Sequence, residues 1–95
     1  MSKIFVDVDG VLCTQETIYS RAKPIYENIA KINKLYDDGH IIIIWTARGS
    51  TTGIDWGAVT EEQLHKWGVH FHELRMGKPA YDVFIDDRAI NIEDV

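Results

Sequence analysis

The run Ile41-Ile42-Ile43-Ile44-Trp45 constrains this chain more than any other stretch. Four consecutive β-branched residues suit a pleated backbone. With no polar residue alternating among them, both faces of the strand must be covered, which is the mark of a central strand in a parallel sheet. A parallel strand needs a crossover segment before it, and the sequence supplies one. Ile25, Ile29, Ile32 and Leu35/Tyr36 recur at spacings of three and four, with Pro24 placed for the first helical turn and Gly39 for the left-handed residue that ends a helix.

The same grammar continues on both sides. Ile4–Val8 reads as a first buried strand, and residues 11–22 as a loop. After the polar, glycine-spaced loop 49–59, Thr60 with Gln63 has the spacing of a capping box and predicts a second helix that runs to about Trp67 and stops at Gly68. Val69–His72 and Val83-Phe84-Ile85 read as two further short strands, and Asn91–Val95 as a single turn. Strands alternating with helices predict an α/β fold with a small parallel sheet, a three-layer Rossmann-like sandwich forming one domain over residues 1–95.

Composition removes several classes of function. The longest apolar run is far short of the ~18 residues of a membrane span, and Met1-Ser2-Lys3 leads straight into a strand without a signal-peptide pattern. Cys13 is the single cysteine, which excludes an intrachain disulfide and fits a cytoplasmic location. A net charge of −5 speaks against a general nucleic-acid or anionic-membrane binder, which needs a basic surface.

Ligands of open parallel sheets bind beyond the carboxyl ends of the strands, so the residues at those ends are the candidate site. The first strand delivers Asp7 and Asp9, two carboxylates at the strand period, followed by Gly10, which lets the chain turn away. The central strand delivers Thr46, with Ala47 and Arg48 behind it. Lys78 precedes the last strand, which delivers Asp86 and Asp87. Four acids at one rim raise one another's pKa unless a cation answers them, and hard oxygen donors point to Mg²⁺. His70 and His72 share a strand face, but without a third ligand they do not make a zinc site.

These residues resemble the motifs of the haloacid dehalogenase (HAD) superfamily of phosphotransferases, in order and over nearly the whole chain: Asp7-Val8-Asp9-Gly10-Val11, then Thr46, then Lys78, then Asp86-Asp87. The stretches TARG, TG-x-DW, QLxKWGV and GKPxYDxFIDDxAIN are similar to small phosphatases of capsule and lipopolysaccharide biosynthesis. The resemblance implies a Mg²⁺-dependent phosphomonoesterase acting on a small phosphorylated metabolite, a sugar phosphate. Asp7 would be the nucleophile that forms an aspartyl-phosphate, and Asp9 the general acid and base, with a raised pKa relative to Asp7. Thr46, Gly10, the Ala47 amide and Lys78 would hold the phosphoryl group, with Arg48 either a substrate contact or a surface residue. Asp7, the backbone carbonyl of Asp9 and Asp86 would hold the metal, with Asp87 behind them.

Neither gap that holds a cap domain in HAD relatives is long enough for one here, so the resemblance implies an uncapped core with either a bulky substrate or a second copy of the chain covering the open site. The segment 74–81 is also shorter than in relatives that carry a helix there. Two other readings accompany the first: a nucleic-acid or nucleotide phosphatase, disfavoured by the charge, and a catalytically idle binding or assembly module.

Overall fold

The computed structural model describes residues 2–95. Three strands, β1 (Lys3–Val6), β2 (Ile41–Trp45) and β3 (Glu73–Arg75), form a parallel sheet in the order β1-β2-β3. Ile4 stands opposite Ile42 and Val6 opposite Ile44, while Ile44 stands opposite Leu74 on the other side. The isoleucine run is therefore the central strand, as its composition predicts. Two helices cross between the strands, α1 (Tyr26–Asp37) and α2 (Gly57–Lys66).

Both helices end in the same way. His40 N–H reaches Leu35 C=O and Gly39 N–H reaches Tyr36 C=O; likewise Val69 N–H reaches Leu64 C=O and Gly68 N–H reaches His65 C=O. Each pair closes a Schellman motif around a glycine at positive φ, 98° at Gly39 and 72° at Gly68. These stops aim the chain back into the sheet.

A sheet that grows in one direction through right-handed crossovers carries its helices on one face. The core shows this: Ile29 and Ile32 of α1 and Leu64 of α2 pack in one cluster with Val6, Ile42 and Ile44. By strand alternation, Phe5, Ile43 and Trp45 lie on the opposite face, where the Phe5 and Trp45 rings meet edge to face at 5.7 Å. The described chain thus forms two layers, and the three-layer sandwich expected from the sequence is not completed by it.

Four local expectations are corrected. The first strand ends at Val6 rather than Val8, so Asp7 and Asp9 lie in the loop beyond it. The third strand is Glu73–Arg75 rather than 69–72, because the chain leaves the Gly68 stop in an extended connection that first docks His72 N–H on Ile42 C=O. Helix α2 begins at Gly57, so Thr60 is an interior, fully buried residue rather than its cap. Val83-Phe84-Ile85 forms no strand and is exposed at 75%, 53% and 94%. The turn predicted at the tail is present as a short 3-10 turn, Ile92–Asp94, capped by the Asn91 side chain.

Candidate functional site

The loop after β1 is wound around one carbonyl. The amides of Val11, Leu12 and Cys13 all point at Val8 C=O, and Gly10, at φ 84°, donates to Cys13 C=O. This tight turn buries Val8 completely and leaves Asp7 and Asp9 on its open side, beside the end of β2.

Asp7 is half-buried, and one carboxylate oxygen lies 3.7 Å from the Lys78 ammonium. Burial pushes the Asp7 carboxyl above its usual range, while Lys78 and the hydrogen bond from Val8 N–H pull it back. Burial therefore raises Asp7, the acid for which the sequence predicts the lower pKa of the two. Lys78 is held in place from several sides. Its N–H donates to Thr46 C=O at 3.0 Å, its carbonyl accepts from Ser50 Oγ at 2.7 Å, and its ammonium lies 3.2 Å from Tyr81 Oη.

Asp9 meets a different cation. Arg48 Nε donates to Asp9 Oδ2 at 3.0 Å and Nη2 to Oδ1 at 2.8 Å, a two-pronged pair. The Arg48 side chain has no exposed surface. Its remaining donors go to Thr60 Oγ1 at 3.1 Å, Gln63 Oε1 at 2.6 Å and Cys13 Sγ at 3.6 Å. A guanidinium has five N–H groups, and here all are engaged within the chain. Burial works against its charge, yet the bonds to Asp9 raise its pKa above the usual arginine value. The Tyr19 ring covers it at 4.7 Å. Arg48 is therefore neither a substrate contact nor a surface residue, but the buried post that fixes Asp9. Cys13, buried beside this pair and next to the Asp9 charge, has its thiol pushed up to about 12, which leaves it a neutral, inert group.

Thr46 is buried at the end of β2, its hydroxyl oxygen accepting from Arg48 N–H at 3.2 Å. Among the described residues the hydroxyl proton has no hydrogen-bond acceptor. Ala47 lines a shallow cavity of about 220 Å³ with Thr17, Tyr19, Thr52, Ile54 and Trp56. That wall is made of hydroxyl, aromatic and aliphatic groups and holds no charge.

Asp7, Asp9, Gly10, Thr46, Ala47 and Lys78 thus lie on the rim where β1 and β2 end. Asp86 and Asp87 are fully exposed, and their polar contacts are local: Asp86 accepts from Arg88 N–H at 2.7 Å, which lowers its pKa, and Asp87 lies 4.0 Å from the Arg88 side chain. Among the described residues no group of three or more His, Cys, Asp or Glu could hold a metal ion. The predicted set of Asp7, Asp9 carbonyl and Asp86 is not assembled within one chain. The contributions of Thr60, Gln63 and Tyr19 escape the sequence reading, because the i, i+3 pair Thr60 and Gln63 fits a helix cap as well as a pair of acceptors on one helix face.

The fold and site define a small α/β protein with a parallel sheet and an acid-lined rim. No family model matches the chain, and no curated protein does. Among solved structures it is similar to an MCSG target from Vibrio cholerae, with 30% sequence identity, a TM-score of 0.87, and coverage of 98% of this chain and 85% of that one. The chain belongs to one family with that protein. Among the described residues no helix is long and apolar enough to cross a membrane.

Proposed function

We propose that the protein is a phosphomonoesterase of the HAD type, acting on a small phosphorylated metabolite such as a sugar phosphate. The observation that carries this reading is the pairing at the rim: a half-buried Asp7 beside Lys78 and, two positions on, an Asp9 clamped by the buried Arg48. Two carboxylates held by separate cations at one edge can take two distinct roles.

Asp7 attacks phosphorus, and the bond from phosphorus to the leaving oxygen breaks as that oxygen takes a proton from Asp9, which in its protonated form gives up one of its two hydrogen bonds to Arg48. In the second step Asp9 takes a proton from water, the water oxygen attacks phosphorus, and Asp7 leaves as carboxylate. Lys78 and the Thr46 hydroxyl face the phosphoryl oxygens and balance their charge. The uncharged wall beside Ala47 suits a neutral, hydroxyl-bearing leaving group. Mg²⁺ belongs to this reading through the resemblance, but the single chain does not fit it. Asp7 and the Asp9 carbonyl lie together at the rim, but Asp86 stands apart, so the predicted ligand set is incomplete within one chain.

Phosphate release is measured from sugar phosphates, nucleotides and 3′-phosphorylated oligonucleotides, with Mg²⁺ and with EDTA. The expected result is release from sugar phosphates that stops in EDTA and falls by more than about 10³-fold in Asp7→Asn. Activity that survives EDTA or Asp7→Asn overturns the mechanism, and preference for oligonucleotides overturns the substrate class. A chain that hydrolyses nothing supports an idle binding module.

A further inference from the structure

The segment Val83-Phe84-Ile85-Asp86-Asp87 has the composition of a buried strand ending in two acids, yet it lies in solvent, with Ile85 94% exposed. A run of large apolar residues in water marks a surface built to be covered. The same chain offers a place for it. In the order β1-β2-β3, the outer edge of β1 has no strand partner among the described residues. The outer edge of β3 is guarded by the ion-paired Glu73 and Arg75, at 2.7 Å, a charged edge of the kind that discourages pairing. A strand laid parallel on β1 would end where β1 ends, and would set Asp86 at the rim beside Asp7.

The chain cannot easily make that pairing with itself. Lys78 is pinned at the carboxyl end of β2 by its bonds to Thr46 and Ser50. To run parallel to β1, the segment has to start at the opposite end of the sheet, past β1, with only residues 79–82 to span the return. A parallel crossover takes about a dozen residues or more. A connection too short to close within one molecule favours exchange of the element between two.

We propose that residues 83–87 add as a fourth parallel strand to β1 of a second copy of this chain, reciprocally, so that each rim holds Asp7 of one copy and Asp86 of the other. The occupant of the β1 edge is a second copy because the complementary strand is present in this chain and only its own connection prevents it from closing. A reciprocal exchange is self-complementary and closes as a two-fold dimer. It covers Val83, Phe84 and Ile85, removes the open edge of β1, and brings to one rim the carboxylates that a single chain keeps apart. The role of Asp86 rests on the phosphatase reading; the strand exchange rests on geometry alone.

Light scattering on the purified chain reads the exchange. The expected result is a dimer for the natural chain and a folded monomer for Ile85→Asp, whose far-ultraviolet circular dichroism is unchanged because Ile85 is exposed in the single chain. A natural chain that is monomeric at high micromolar concentration, or an Ile85→Asp chain that stays dimeric, overturns the exchange. The shared site is read by co-expressing Asp7→Asn with Asp86→Asn. Each variant alone is inactive, and the mixture regains about a quarter of natural activity, since half the dimers are mixed and one rim of each is intact. A mixture no more active than its parents, or an Asp86→Asn parent that keeps full activity, overturns the shared site. If the natural chain hydrolyses no phosphomonoester, the phosphatase reading falls, and light scattering still decides the exchange.

Discussion

Arg48 is the residue on which the rim depends most. A guanidinium without exposed surface is tolerated because Asp9 neutralises it and Thr60, Gln63 and Cys13 take its other donors. Replacing it by methionine leaves Asp9 without its cation and three polar groups without their donor. Breaking such a pair costs about 3–5 kcal/mol, and the expected loss for Arg48→Met is at the low end, near 3, because Asp9 keeps some contact with water. Urea titration followed by circular dichroism measures it. Asp7 carries the opposite sign. Its pKa in the folded chain is raised, so the unfolded chain releases the proton first as pH increases. Stability is then fully present below the ordinary value of 3.8 and falls as pH rises through the raised folded value. Asp7→Asn, which cannot ionise, is expected to melt above the natural chain at pH 7 in EDTA and to lose that advantage near pH 3. The roles of these two aspartates are half legible in sequence. DxDG announces paired acids, but which cation each meets depends on a residue 39 positions away from Asp9.

At the scale of elements, periodicity and punctuation are strong signals. The isoleucine run, the stripe on α1 and the glycine stops at Gly39 and Gly68 describe β2 and both crossover helices closely, because each is decided by local propensity and burial. Helix starts and short strands are less legible. Thr60 and Gln63 have the pattern of a cap, and only the position of Arg48 makes them acceptors inside α2. The loop from β2 to α2 also hides its constraint. Gly49 sits at φ 80°, and a Cβ there would overlap the carbonyl oxygen of Ile54. Gly49→Ala therefore combines a left-handed backbone with a backbone clash, and the expected loss exceeds about 2 kcal/mol. Urea midpoints for Gly49→Ala and for Gly53→Ala, where a Cβ meets open space, separate the clash from the φ penalty.

At the scale of the whole molecule, and among the described residues, the sheet carries no helix on one face and has no strand partner on the outer edge of β1. Both crossovers put their helices on the Ile42/Ile44 face, and the connection that would carry a helix across the Phe5/Ile43/Trp45 face is too short to do so. What the amino-acid sequence determined by itself is the parallel α/β plan, the central strand, the ends of the helices, and the placing of Asp7, Asp9 and Thr46 just beyond β1 and β2. Each of these follows from side-chain chemistry read over a few neighbouring residues. Tertiary structure alone decided that Arg48 faces inward and holds Asp9, that Lys78 reaches Asp7, and that Val83–Asp87 stays outside the sheet. Those outcomes depend on distances between residues far apart in the chain and on the reach of a short connection, and local pattern encodes neither.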